Sequence, residues 1–111
     1  MKLNMQSMMK QLQEVQQRME KIQAELETKT VSAEAGGGMV RVVVNGRLRV
    51  LKIEIERDAI DLDDLSMLED LVAAAVNKGI EEAQEMAQQE MAKAAGGMIP
   101  PIPGLNVPGL A

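Results

Sequence analysis

The sequence contains no cysteine, no histidine and no aromatic residue among its 111 positions. Without cysteine there is no disulfide framework and no thiolate nucleophile, which fits a reducing cytoplasm. Without histidine the usual proton shuttle and metal ligand are missing, and the serines have no imidazole to activate them. We therefore predict that the protein is not an enzyme and holds no cofactor or metal.

The missing aromatic rings also argue against binding of single-stranded nucleic acid, which depends on stacking of unpaired bases. No apolar run approaches the ~18 residues of a membrane span, and the first residues lack the apolar region of a signal peptide. We expect one cytoplasmic domain with no membrane contact. Its core must be built from Val, Ile, Leu, Ala and some of the ten Met residues.

Charge is divided unevenly along the chain. Residues 1–57 carry ten Lys or Arg and seven Asp or Glu, whereas residues 58–111 carry two and ten. The first part is therefore +3 and the second −8, within a total of −5. This division leaves a basic surface possible on the N-terminal half of an acidic protein.

The first predicted element is a long helix from Leu3 to about Glu27, whose apolar residues recur in alternating steps of three and four. Such a seam predicts packing against another long helix, in the same chain or in a second copy. We predict an obligate homodimer and assign dimerisation to the seam residues Met5, Met8, Leu12, Val15, Met19, Ile22 and Leu26.

Three strands are predicted next. Alternation marks 29–35 as a strand, and the glycine triplet 36–38 connects it to a hairpin with strands 39–44 and 47–55. A two-residue turn at Asn45-Gly46 would pair Val44 with Arg47. The same pairing puts one apolar face toward the core, with Val40, Val42, Val44, Leu51, Ile53 and Ile55 on it.

A second long helix follows. Asp63, Asp64 and the Ser66-x-x-Glu69 capping box mark its start, and Gly96-Gly97 marks its end. All four Pro residues come after it. We therefore predict a single α+β domain over 1–95 (long helix, three-stranded antiparallel sheet, long helix) and a flexible Gly/Pro-rich tail over 96–111.

Two groups of basic residues are candidates for contact with DNA phosphates. Lys10, Arg18 and Lys21 belong to the first helix, and Arg41, Arg47 and Arg49 belong to the hairpin. Duplex DNA is the natural ligand for such contacts on a helix or strand framework. The helix residues also fit a solvated face of mixed charge, because Glu14 and Glu25 share that face.

Several segments together resemble the YbaB/EbfC family of bacterial nucleoid-associated proteins. They are Met8-Met9-Lys10-Gln11, the strand junction 34–41, the Asn45-Gly46 turn, the helix segment 68–77 and the Gly96-Gly97-Met98 exit. The match covers nearly the whole chain in order. The resemblance implies an intertwined, tweezer-like homodimer that binds DNA in the nucleoid and contributes to nucleoid organisation and gene regulation.

A second function stays open at this point. The acidic second helix and the apolar tail also suit an adaptor dimer that recruits proteins of DNA repair or recombination. The two functions differ in salt dependence, because phosphate contacts weaken steeply with salt and apolar contacts do not.

Overall fold

The computed structural model describes residues 4–98, and it confirms the predicted α+β class and order of elements. The elements are α1 (Met5–Thr28), β1 (Thr30–Ala35), β2 (Val40–Asn45), β3 (Val50–Ile55) and α2 (Leu65–Met98). A 3-10 turn, Arg57–Ala59, lies between β3 and α2. The predicted flexibility of the tail concerns residues that lie mostly outside the described ones.

The sheet is antiparallel throughout, in the order β1-β2-β3. Gly36, Gly37 and Gly38 connect β1 to β2 with φ of +68°, +66° and +95°, a conformation that glycine adopts without strain. The helix α2 packs across β1 and β2. The buried core of this layer consists of Ala33, Val40, Val42, Val44, Ala75 and Ala83.

The turn between β2 and β3 differs from the predicted two-residue turn. Val44 pairs with Val50, not with Arg47, and Val42 pairs with Ile53. The loop is longer than two residues, because the backbone N–H of Asn45 donates to the carbonyl of Arg49 at 2.9 Å. A bulge between Val43 and Val44 completes the change of register.

The predicted core face is only partly covered. Val40, Val42 and Val44 are fully buried as expected. The β3 residues predicted to join them remain 37–51% exposed, because α2 covers β1 and β2 and leaves the third strand open. We call these three residues, Leu51, Ile53 and Ile55, the β3 surface.

The helix ends differ slightly from the predicted ones. Asn4 caps α1, since its side-chain oxygen accepts the N–H of Gln6 at 3.1 Å. Asp64, rather than Ser66, caps α2 by accepting the N–H of Met67 at 3.2 Å. The helix α2 also continues through the two glycines to Met98. We therefore call residues 99–111 the C-terminal segment.

The two helices run antiparallel over only part of their length. Lys29, just after α1, bonds to Glu90 of α2 at 2.7 Å, while Ile22 and Ala94 line one groove. Earlier residues of α1 thus lie beside later residues of α2. The N-terminal half of α1 extends beyond this contact, in a molecule that measures 75 × 29 × 16 Å. Neither helix, over residues 4–98, is long and apolar enough to cross a membrane.

Candidate nucleic-acid interface

The three basic residues predicted on α1 lie on one side of it. At 100° per residue, Lys10, Arg18 and Lys21 fall within an arc of about 80°, opposite the apolar seam. Arg18 and Lys21 line a shallow depression together with Glu14 and Gln17. Lys10 lies about 16 Å farther along the helix axis from Lys21. This face can therefore follow a phosphate backbone, although Glu14 reduces its positive charge.

The second basic group, Arg47 and Arg49, is held by the loop between β2 and β3. The side-chain oxygen of Asn45 accepts the backbone N–H groups of both arginines, each at 3.0 Å. Asn45 is 5% exposed, and its amide nitrogen donates to the carbonyl of Glu27 at 3.4 Å. One buried side chain thus fixes the backbone position of two exposed arginines.

The end of α1 fixes the same loop from the other side. The N–H of Gly46 donates to the carbonyls of Leu26 and Lys29 at 2.8 and 2.9 Å. A Cβ on Gly46 would lie 2.8 Å from the Leu26 carbonyl oxygen, so only glycine fits. Leu48, two residues after Gly46, has a φ of +64°, which is rare for a bulky side chain. The loop is rigidly held, and its arginines are presented in a defined position.

Glu27 limits the positive charge of this loop. Its carboxylate lies 3.4 Å from the Nη1 atom of Arg47, with both side chains about half exposed. Glu27, Arg47 and Arg49 line a common pocket of about 310 Å³ with Asn45. Two guanidinium groups and one carboxylate leave one net positive charge here. A phosphate oxygen would replace the weak surface pair with Glu27 at little cost.

Arg41 is placed less favourably than the other candidates. It lies on the outer face of the sheet, where its Nη2 donates to the hydroxyl of Ser32 at 3.3 Å. Its cross-strand partners are Glu34 and Glu54, so negative charge flanks it on both sides. The hairpin is therefore less basic on its face than at its loop.

The structure does not combine the two basic groups into one patch within the chain. The loop meets α1 at Glu27, about 100–180° around the helix from Lys10, Arg18 and Lys21. Within one chain the two groups therefore face different directions. A ligand that contacts both must be large or must meet more than one copy of the chain.

Sequence reasoning missed the role of Asn45 and the ion pairs around Glu90. The sequence pattern marks Asn45 only as a turn residue, and its burial has no signal in a single sequence. Glu90 binds Lys29 at 2.7 Å and Lys93 at 3.8 Å. The hydrogen bond from Lys29, aided by the charges of both lysines, holds the pKa of Glu90 below its usual value. These two lysines are therefore less available to DNA than those on the α1 face.

Within residues 4–98, no cluster of three or more acidic side chains could hold a metal ion. The exposed guanidinium and ammonium groups described above offer charge contact to an anion. That is the chemistry of phosphate binding.

Comparison with known proteins also indicates a DNA-binding family. The sequence profile described as the YbaB/EbfC DNA-binding family matches residues 1–98. The chain is 54% identical over 102 residues to a nucleoid-associated protein of Syntrophobacter fumaroxidans, covering 92% of this chain and 91% of that one. It is 50% identical over 107 residues to one from Thermoanaerobacter pseudethanolicus, covering 96% and 90%.

A solved structure also resembles the fold. The crystal structure of the uncharacterized protein HP0035 from Helicobacter pylori aligns with a TM-score of 0.74. The alignment covers 86% of this chain and all of that one, at 18% sequence identity. At that identity the likeness concerns the arrangement of helices and strands alone.

Proposed function

This chain belongs to the YbaB/EbfC DNA-binding family, and we propose that it binds duplex DNA as a homodimer, contributing to nucleoid organisation and gene regulation. The observation that supports this most directly is the pair of exposed basic groups, on α1 and on the rigid β2–β3 loop. The names of the relatives, which call them nucleoid-associated, support a location on the nucleoid.

Duplex DNA is the preferred form of nucleic acid for two reasons. The chain has no aromatic side chain on which unpaired bases could stack. Its basic groups lie on a long helix and a tight loop, which can both approach phosphates without reading base edges. We therefore expect little sequence preference and a strong dependence on salt.

The homodimer rests on the apolar surface that the single chain leaves open. Ile53 and Ile55, the cross-strand partners of Val42 and Val40, extend the core face of the sheet but lack a covering helix. A second copy packed on this β3 surface would complete the layer that α2 provides for the other strands. It would also double both basic groups along a duplex.

Three of the seven predicted seam residues already pack within their own chain. Leu26 is buried and Met19 and Ile22 are half-buried within their own chain, where Ile22 and Leu26 line grooves shared with α2. The remaining four seam residues, which we call the distal seam, are exposed: Met5, Met8, Leu12 and Val15. The β3 surface and the distal seam are therefore both open to a second copy.

DNA binding is tested by fluorescence anisotropy with a random-sequence duplex at several salt concentrations. Two double variants separate the basic groups: Lys10→Ala/Lys21→Ala on α1 and Arg47→Ala/Arg49→Ala in the loop. Removing one phosphate contact should reduce the slope of log K against log salt by roughly one unit. We expect the larger reduction for the α1 variant, because a projecting helix can reach a duplex most easily.

A third double variant, Lys29→Ala/Lys93→Ala, removes the same number of positive charges from the neighbourhood of Glu90. It should leave the slope nearly unchanged. Equal reductions in all three variants would show that only net charge matters and would remove the proposed sites. If the wild type ignores duplex DNA at low salt, the DNA proposal fails and the adaptor function becomes the one to test. Nothing in the named relatives supports that alternative.

A further inference from the structure

Methionine is the residue type of this sequence that mild oxidants attack most readily. The chain has ten Met residues and no cysteine, histidine or aromatic residue that could compete for the oxidant. A two-electron oxidant converts the methionine thioether to a sulfoxide, which is polar and chiral. Oxidation of this protein is therefore expected to fall on its methionines, and exposure decides which of them react first.

Three methionines lie together near the start of α1. Met5, Met8 and Met9 occupy positions i, i+3 and i+4, so they fall within about 100° of the helix circumference and about 6 Å along its axis. Their side chains are between 48% and 76% exposed, and the neighbouring Leu12 is exposed as well. We call Met5, Met8 and Met9 the methionine cluster.

Five further methionines of the described chain are less exposed than the cluster. Met19, Met39, Met86 and Met91 are half-buried. Met39 packs against the valine core of the sheet, and Met91 lines a hollow between α2 and the β2–β3 loop. Met67, near the start of α2, is 39% exposed. The most accessible of these methionines are therefore concentrated at one end of α1.

Packing within the chain does not explain why the cluster consists of methionine. Methionine fills irregular gaps in protein cores, but none of the three cluster residues is buried. Leucine forms helices equally well and would give the same apolar stripe with less side-chain entropy to lose on burial. The chemical property that methionine adds at these positions is a thioether that is open to oxidants.

The consequence of oxidation should be local to the start of α1. A sulfoxide oxygen accepts hydrogen bonds strongly, and polar side chains close to the backbone compete with the bonds of the helix. The first turns of α1 have little support, because this half of the helix extends beyond its contact with α2. Oxidation should therefore loosen these turns and make the distal seam polar, while the core of the sheet stays intact.

We propose that the methionine cluster is an oxidation site, at which peroxides or hypohalous acids switch the start of α1 from an ordered apolar helix to a loosened polar one. With hydrogen peroxide, the thioether sulfur attacks one oxygen, the S–O bond forms and the O–O bond breaks. The sulfur loses two electrons, and the departing hydroxide takes the proton of the transferred oxygen and leaves as water. A thiol-dependent sulfoxide reductase reverses the step, releasing the oxygen as water and joining two thiols in a disulfide.

This inference depends neither on DNA binding nor on the homodimer, so its tests stand apart from theirs. Peptide mass spectrometry after brief treatment with hydrogen peroxide shows where sulfoxides form. Met5, Met8 and Met9 should each oxidise at least about five times faster than Met39 and Met91, because reaction follows exposure. Equal rates at all five would overturn the proposal. Oxidation of Met9 alone would overturn it too, because Met5 and Met8 would then be covered by a partner on the distal seam.

Amide hydrogen exchange measures the switch itself. After oxidation, the amides of residues 9–16 should lose at least about threefold of their protection, because local opening of the helix becomes easier. Treatment with a methionine sulfoxide reductase and dithiothreitol should restore it. The amides of β2 should keep their protection throughout. A wild type whose cluster is oxidised without this loss would overturn the switch.

Two variants assign the loss of protection to the cluster. Met5→Leu/Met8→Leu/Met9→Leu keeps a strong helix former and the apolar stripe but has no thioether to oxidise, so peroxide should leave its protection unchanged. The matched control Met67→Leu removes another exposed methionine near the start of a helix and should respond to peroxide like the wild type. If the triple variant still loses protection, or if Met67→Leu abolishes the loss, the methionine cluster is not the site.

Discussion

At the scale of single residues, the contact between α2 and the sheet depends on Gly79. A Cβ at this position would lie 2.8 Å from the Cγ2 atoms of both Val42 and Val44, which are fully buried. Gly79→Ala should therefore push the helix from the sheet. We expect a loss of about 1–3 kcal/mol in the free energy of unfolding, measured by urea denaturation.

Gly96 provides the matched control for that substitution. It lies in the same helix, and a Cβ there would have nothing within 4 Å. Gly96→Ala should be neutral or should stabilise the protein by up to about 1 kcal/mol, because alanine favours helix. If both variants destabilise the protein equally, the close approach of α2 to β2 is not what Gly79 provides.

A second prediction at this scale concerns pH. The hydrogen bond from Lys29, with help from Lys93, keeps the pKa of Glu90 below 4.5 in the folded chain. The stabilisation from this carboxylate is therefore present above pH 4.5 and is lost as the pH falls through the lowered folded-state value. Glu90→Gln should slightly lower the melting temperature at pH 7, and the difference from the wild type should close in acid.

Glu81→Gln is the matched control for Glu90→Gln. Glu81 is exposed on the same helix, and no ion pair to it is found among the described residues. That variant should melt like the wild type at every pH. A difference between Glu90→Gln and the wild type that persists unchanged in acid would mean that the effect is not electrostatic.

At the scale of elements, the helices and the two hairpin strands were predictable, whereas the turn between those strands was not. The three-and-four spacing gave α1 to within about two residues at each end, because helix periodicity is a property of the local sequence. The Asn45-Gly46 pair suggested a two-residue turn for the same local reason. The actual loop is set by the bonds of Gly46 to carbonyls of Leu26 and Lys29, which lie about twenty residues earlier in the chain.

The same difference between local pattern and long-range contact explains why the burial of the predicted core residues was only partly predictable. Alternation in β2 correctly indicated which side of the strand is buried. It could not show that α2 covers two strands and leaves the third open. The exposure of Ile53 and Ile55 therefore could not be predicted from their pattern. The six basic candidates were found from charge alone, and which of them act on DNA stays a prediction.

A further prediction concerns Asn45, whose side chain holds the loop between β2 and β3. Asn45→Ala would leave the N–H groups of Arg47 and Arg49 without their acceptor. Leaving such groups unsatisfied costs about 1–3 kcal/mol, which should appear as reduced stability to urea. The affinity for duplex DNA at low salt should fall as well, because both arginines lose their fixed position.

Asn77→Ala is the control for the loop variant, since Asn77 is exposed on α2. It should leave stability and DNA affinity essentially unchanged, as alanine suits a helix surface. A stable Asn45→Ala variant would show that the loop does not need this side chain. A destabilised variant with unchanged DNA affinity would separate the arginines from DNA binding.

At the scale of the whole molecule, the shape of the chain requires explanation. Its radius of gyration is 20.5 Å, whereas a compact chain of this length would have about 13 Å. Such an extended body leaves two apolar surfaces open, the β3 surface and the distal seam. The first suits a second copy, because it completes a sheet-and-helix layer.

The dimer prediction follows from the first of these surfaces. Ile53→Glu places a charge on the β3 surface, where the side chain of a single chain is 45% exposed. The isolated chain should tolerate that charge, whereas burial against a second copy would make it costly. We therefore expect a dimer for the wild type at micromolar concentration and a folded monomer for Ile53→Glu, by sedimentation velocity and circular dichroism. Ser32→Glu introduces the same charge on the outer face of the sheet and should stay dimeric. A wild type that sediments as a monomer would refute the homodimer, and a dimeric Ile53→Glu would move the interface away from β3.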